Sequence, residues 1–401
     1  MTDKRTLRII LVCGGMILTL SVGIRVGWGL FLLPMSMEYG WPRETFSFAI
    51  ALHNLLFGAS QPFLGALADR LGAMRVVIAS TLIYAVGVAL MSISSTGWML
   101  SMTAGFIVGV AAAGTSFSII FGVIGRTFPV EQRSNVLGIA SALGSFGQFF
   151  MAPVEQFLIS NLGWKGALIA LACLSLVMIP LAFGLAADKP RRGSVQGQTI
   201  RQALSEAFAY RSFWLLMGGY FVCGFQTAFV QVHLPSFLRD RGMAIGVAVA
   251  AIALIGLFNI FGSYIAGWLG GHYTKKYLLA GIYFSRGVVL ILFMLLPLTP
   301  AGVYAFGMAF GLLYLSTVPL TNGVIAHIFG VQYMAMLSGF VFFAHQIGSF
   351  FGVWLGGRLY DFSGSYNVVW GIAIALGVVA ALLNFPIREQ PIIRRAAAAP
   401  V

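Results

Sequence analysis

Five side chains of this sequence could do chemistry in places where chemistry is expensive. Arg25 lies in Leu20–Ser21–Val22–Gly23–Ile24–Arg25–Val26–Gly27–Trp28, inside an apolar segment that runs from Ile9 to Met37. Arg286 lies in Tyr283–Phe284–Ser285–Arg286–Gly287, and His53, His345 and Glu155 fall within other apolar runs. A hydrocarbon core about 30 Å thick takes about 20 helical residues, so Arg25 falls near the middle of a span. An arginine there costs about 2.5–3.5 kcal/mol, which makes it a functional residue by default. Its planar guanidinium suits bidentate capture of a carboxylate or phosphonate. Histidine titrates near neutral pH, which makes His53 and His345 the candidates to carry a proton. Metal and thiol chemistry find no support. The five histidines are scattered, and Cys13, Cys173 and Cys223 stand singly in apolar runs without a CxxC pair. No cofactor is expected, and neither is an enzyme, since none of the required His, Asp, Glu or Cys residues cluster.

The elements that must position these residues are membrane helices. Of the 401 residues, 59% are hydrophobic and only 9% charged, against about 25% charged in a soluble domain. Apolar runs of 20 or more residues exclude a barrel of short alternating strands. Twelve spans follow, over about 9–36, 45–68, 74–94, 97–125, 134–160, 164–186, 212–238, 244–270, 277–297, 301–327, 333–359 and 366–387. The expected fold is an all-α polytopic membrane protein with two pseudo-symmetric six-helix bundles. Residues 1–186 form the first bundle, 187–211 a polar, basic linker, and 212–401 the second bundle with a short tail. The first run lacks a small-residue cleavage site and reads as a retained helix.

The net charge of +13 does not indicate nucleic acid, because its basic residues cluster in the short segments between spans. With the N-terminus in the cytoplasm, seventeen lysines and arginines fall on the inner side and five on the outer, as the positive-inside rule requires. Both termini are then cytoplasmic. An internal repeat recurs at about 202 residues: Leu33–Pro34 with Leu234–Pro235, and Gly144–Ser145–Phe146 with Gly348–Ser349–Phe350. Parallel repeats with a site at their interface near the midplane are a transporter architecture. The offset sets Gln226 opposite Arg25, and Arg358 opposite Glu155 as an outer ion pair between the halves. Gly348, Gly352 and Gly356 form a small-residue stripe for close helix approach.

Gly65–Ala66–Leu67–Ala68–Asp69–Arg70–Leu71–Gly72–Ala73–Met74–Arg75, between spans two and three, resembles the G-x-x-x-D-[RK]-x-G-x-[RK] signature of the major facilitator superfamily. The second copy, Gly267 to Lys276, lacks the acidic residue. The resemblance covers the chain and implies that Asp69, Arg70 and Arg75 latch the halves in one state. It also implies that spans one, four, seven and ten line a central cavity. Gly29–Leu30–Phe31–Leu32–Leu33–Pro34, with Gly40–Trp41 and Arg43, resembles the monocarboxylate porter and oxalate:formate antiporter branch, as does Asn259–Ile260–Phe261–Gly262. That branch carries a substrate arginine in span eight where this chain has Ser263, and often an acidic residue where it has Asn259. His345 aligns with the anion-site lysine of the oxalate:formate relatives.

Arg25 becomes the leading anion ligand, with Asn54, Gln226, His345, Asn259, Ser263 and Asn322 as further substrate-binding candidates. Thr115, Ser116, Ser118, Tyr314 and Thr321 offer polar lining. Arg286, on a peripheral span, is expected to be structural or gating, as are Asp69, Arg70, Arg75, Glu155 and Arg358. The expected function is secondary active transport of a small organic anion, a monocarboxylate by preference, by alternating access in a functional monomer. Its partners are the anion, the lipid bilayer and, if coupled, protons. The alternative is an exporter of apolar drugs or metabolites, favoured by the many phenylalanines and the missing span-eight arginine.

Overall fold

The computed structural model describes residues 4–186, 199–330 and 333–392. Its elements follow the twelve spans. Span one is Lys4–Val26 followed by Trp28–Tyr39, interrupted at Gly27. Span two is Arg43–Leu71 and span three Ala73–Met91. Span four begins at Gly97–Leu100, passes through a π-helical stretch Ser101–Val108 into Gly109–Ala113, and resumes at Phe117–Thr127. Spans five and six form one trace, Val130–Ser175, broken at Gly163, whose φ of 67° only glycine adopts without strain; Met178–Ala182 continues it. Span seven is Arg211–Asp240, eight Ile245–His272, and nine Lys275–Leu295. Span ten is Pro300–Leu313 and Thr317–Phe329, eleven Met334–Ser363, and twelve Asn367–Asn384.

Among the described residues, ten helical stretches are long and apolar enough to cross a membrane. Spans five and six count there as one stretch, Val136–Leu185. Span two is absent from the ten because His53, Asn54, Gln61 and Pro62 lower the hydropathy of its middle. Residues 187–198 of the expected linker lie outside the described residues. Its remainder forms the helix Ile200–Ala209, opened by a reciprocal capping box between Thr199 and Gln202.

Close packing is built on glycine, because helices in lipid gain from backbone approach and dispersion contacts. A Cβ on Gly348 or Gly352 would strike the carbonyls of Phe221 or Phe225, and one on Gly356 the ring of His233. The stripe on span eleven is thus what lets span seven lie against it. Between the bundles, Gly29 faces the Val232 and Gln231 carbonyls, at 2.6 and 2.7 Å from where its Cβ would sit. Gly58 faces Gln346 at 2.6 Å, and Gly256 the Phe149 backbone nitrogen at 2.7 Å. These three seams join span one to seven, two to eleven, and eight to five.

At the face opposite the chain ends the bundles are locked by charge. Arg43 grips Asp240 with both guanidinium arms, at 2.6 and 2.7 Å. Asp361 accepts from the backbone nitrogens of Arg43 and Glu44 at 3.0 and 2.7 Å, so one bundle caps a helix start of the other. Glu44 accepts from Arg358 at 2.9 Å and from Trp354 at 3.1 Å. The face carrying the chain ends is different. Asp69 pairs with Arg126 at 2.5 Å within the first bundle, while Arg70 and Arg75 are exposed. Further toward that face along spans two and eleven, Gly65 and Gly339 have open space where a side chain would project. The bundles are closed at the far face and part toward the chain ends.

Candidate functional site

Three spans break part-way along their length. Span one breaks at Gly27, span four at Gly114–Ser116, and span ten at Tyr314–Ser316. Irregular backbone at membrane depth is tolerated only where protein or an aqueous cavity meets its polar groups. Ser21, within the first half of span one, bonds to Thr115 in the span-four break at 2.8 Å. Arg25 sits two residues before the Gly27 break. Its guanidinium lies over the Phe57 ring, 4.1 Å from the centroid, and it interacts electrostatically with the Tyr84 and Tyr314 hydroxyls and with His53. It is half-buried and, among the described residues, has no ion pair or hydrogen bond. A cation stacked on one ring with its donors unspent is ready for an anion.

The second bundle closes on this group through polar, uncharged residues. The Tyr314 hydroxyl donates to Gln231 Oε1 at 2.5 Å, and Gln231 Nε2 donates to the Val26 carbonyl at 3.3 Å, across the interface. Asn259 donates to Ser145 Oγ at 3.1 Å and accepts from Ser263 Oγ at 3.2 Å and the Leu315 nitrogen at 3.1 Å. Asn259 and Ser263 therefore tie spans five, eight and ten together at the seam. Asn54 and Asn322 are half-buried, with no hydrogen bond among the described residues.

Two sequence expectations are overturned. Gln226 does not face Arg25. It is fully buried in the second bundle, donating to the Ala373 carbonyl at 2.8 Å and accepting from Arg286 Nη1 at 3.2 Å. The offset put it at the right depth, but its helix turns that face inward. Arg358 does not pair with Glu155 either. It pairs with Glu44 at the surface, while Glu155 is fully buried and neither of its oxygens has a partner. Glu44, at the start of span two, takes the Arg358 guanidinium instead.

Arg286 is held within the second bundle. Nη2 donates to the Leu313 and Tyr314 carbonyls at 2.5 and 3.0 Å, filling the needs of the span-ten break. His345 is directed into the second bundle, beside Tyr220 and within 3.4 Å of Ser349 Oγ, and no contact brings it to Arg25. His53 holds the Ala104 carbonyl through Nδ1 at 3.1 Å and stacks on Phe57, on the same patch as Arg25. Sequence reasoning missed Tyr84 and Gln231. Each is an ordinary residue in an apolar run, and only the helix rotation reveals it.

Two six-helix bundles meeting over broken spans, locked at one face and parted at the other, define a membrane transporter of the two-bundle class. The Major Facilitator Superfamily model matches residues 11–353, and the chain belongs to that family. It is 22% identical to the uncharacterized MFS-type transporter YcxA of Bacillus subtilis (strain 168), over 88% of each chain. It is 25% identical to monocarboxylate transporter 13 of Bos taurus, over 91% of this chain and 87% of that one. Monocarboxylate transporter 11 of Homo sapiens is 26% identical, over 87% and 76%. The fold is similar to a solved bacterial homolog of the human lysosomal transporter Spinster, in an inward-facing and occupied conformation. The TM-score there is 0.78, at 15% identity, over 96% of this chain and 97% of that one.

Proposed function

We infer that this transporter carries a small organic anion with one carboxylate, held by Arg25 between the bundles. The observation that carries the reading is that guanidinium: at membrane depth, half-buried, stacked on Phe57 and without a counter-charge. His53 and Tyr84 flank it from the first bundle, with Tyr314 and its partner Gln231 across the gap. The second bundle offers hydroxyl and amide groups but no second free cation among its described residues near this level, which matches one anionic group better than two. The similarity to monocarboxylate transporters supports the same class.

Alternating access would work by rocking about the three glycine seams. With the chain ends in the cytoplasm, as the distribution of basic residues indicates, the state described is open inward. The test is counterflow in proteoliposomes loaded with pyruvate, lactate, acetate, oxalate or a cationic dye. Pyruvate or lactate exchange that vanishes in Arg25→Ala supports the reading. Exchange of the dye alone would replace it with the exporter alternative.

A further inference from the structure

The second copy of the signature loop, Gly267 to Lys276, holds no carboxylate of its own, yet one is bound there. Glu389, in the segment after span twelve, accepts from the backbone nitrogen of Lys275 at 3.3 Å through one oxygen and from that of Lys276 through the other. These are the first two residues of span nine. Their N–H groups have no acceptor inside the helix, and its positive end favours a carboxylate. Lys276 closes the contact by donating from Nζ to the Phe385 carbonyl at 3.0 Å.

Residues 385–392 cross the second bundle at the face carrying the chain ends. The Arg388 nitrogen donates to Ser212 Oγ at 3.0 Å, and the Arg388 carbonyl accepts from the Tyr210 hydroxyl at 3.5 Å, both at the start of span seven. Ile387 is fully buried in the apolar cluster that holds Ile328 and Phe329, and Ile392 packs against it. The Ile392 nitrogen then donates to the Ile328 carbonyl at 3.0 Å, in the last turn of span ten.

The first bundle makes the same connection with one ion pair. There Asp69, at the junction of its second and third helices, holds Arg126 near the end of the fourth. The repeat offset of about 202 residues carries Asp69 to Gly271 and Arg126 to Ile328. Neither replacement can form an ion pair, but residues 385–392 touch the same junction and the same Ile328. The connection matters because span ten breaks at Tyr314–Ser316. Its last part, Thr317–Phe329, is a half-helix beyond a break, and Ile392 holds its free end.

We propose that residues 385–392 are a strap that makes in the second bundle the tie Asp69 and Arg126 make in the first, with Glu389 as its positioning residue. Glu389 fixes the strap to the start of span nine, and Ile392 fixes it to span ten. Together they keep Thr317–Phe329 against its own bundle while the face carrying the chain ends is parted. Releasing the strap frees that half-helix to pivot toward the first bundle, so this face closes more often. The strap touches none of the groups around Arg25 and stands whether or not Arg25 holds an anion.

Spin labels at Leu71 and His327, exposed at the ends of spans two and ten, read the gap in purified protein without cargo. Glu389→Ala should raise the population of the shorter distance about threefold. Ile392→Pro, which removes a single N–H, should do the same. Glu389→Gln keeps one carbonyl acceptor and should fall between wild type and Glu389→Ala. Gln390→Ala, an exposed position on the same segment, should leave the distances as in wild type. A lower melting temperature with unchanged distances in Glu389→Ala would make the segment a helix cap alone and overturn the proposal. An unchanged distribution in Ile392→Pro, or equal shifts in every variant including Gln390→Ala, would overturn it too. Should Glu389→Ala not fold, Ile392→Pro decides.

Discussion

Arg286 gives both terminal nitrogens of its guanidinium to two main-chain carbonyls and an amide, and is fully buried. Arg25, at similar depth, gives its own to the face of one ring. Removing each should therefore produce a different phenotype. Arg286→Met orphans the Leu313 and Tyr314 carbonyls at about 1–3 kcal/mol apiece, so the melting temperature of purified protein should fall by several degrees. Arg25→Ala should leave melting nearly unchanged and abolish anion binding in calorimetry. Arg25→Lys keeps the charge but loses the planar fork, and should weaken anion binding about tenfold, a loss of about 1.4 kcal/mol. A lysine variant that binds as tightly as wild type would show that the fork is not used.

The helices show where sequence reading succeeds and where it stops. Span positions follow from runs of apolar residues, which is a property of composition along the chain. The Gly348, Gly352 and Gly356 stripe was legible because spacing of four fixes one helix face, and span seven does lie on it. Facing across the repeat was not legible. The offset gave Gln226 and Arg358 their depth, but a rotation of each helix about its axis decides what a side chain meets. One put Gln226 against Arg286, the other put Arg358 against Glu44. Tyr84 and Gln231 were invisible for the same reason. The seams make their own prediction. Gly58→Leu would drive its side chain into Gln346, forcing spans two and eleven apart. Counterflow should fall about tenfold or more while monodisperse protein is still recovered, consistent with overpacking costs of about 1–3 kcal/mol. Gly65→Leu on the same helix, where space is open, should have little effect in this state.

For the molecule as a whole, what matters is the balance between its locked face and its parted one. Arg43, Asp240, Asp361, Glu44 and Arg358 hold the far face shut, and within the first bundle Asp69 holds Arg126 at the other. Asp240→Asn combined with Asp361→Asn should shift the equilibrium about tenfold toward opening at the far face, a bias of about 1.4 kcal/mol out of the 5.5 that full reversal needs. Spin labels at Ser95 and Ser363, exposed on the two bundles at that face, should show a longer distance population. An unchanged distance distribution would mean the glycine seams hold the face without the charges. The lock is also wet. The side chains of Arg358 and Glu44 are 57% and 32% exposed, and those of Arg43 and Asp240 12% and 29%. Added salt weakens such exposed ion pairs by shortening the screening length, which is about 8 Å at physiological strength. Only the solution on that side of the bilayer reaches them, so salt added there loosens the resting state while salt on the other side does not. The two compartments thus have unequal influence on the cycle before any cargo arrives, and the one at the locked face can set its pace.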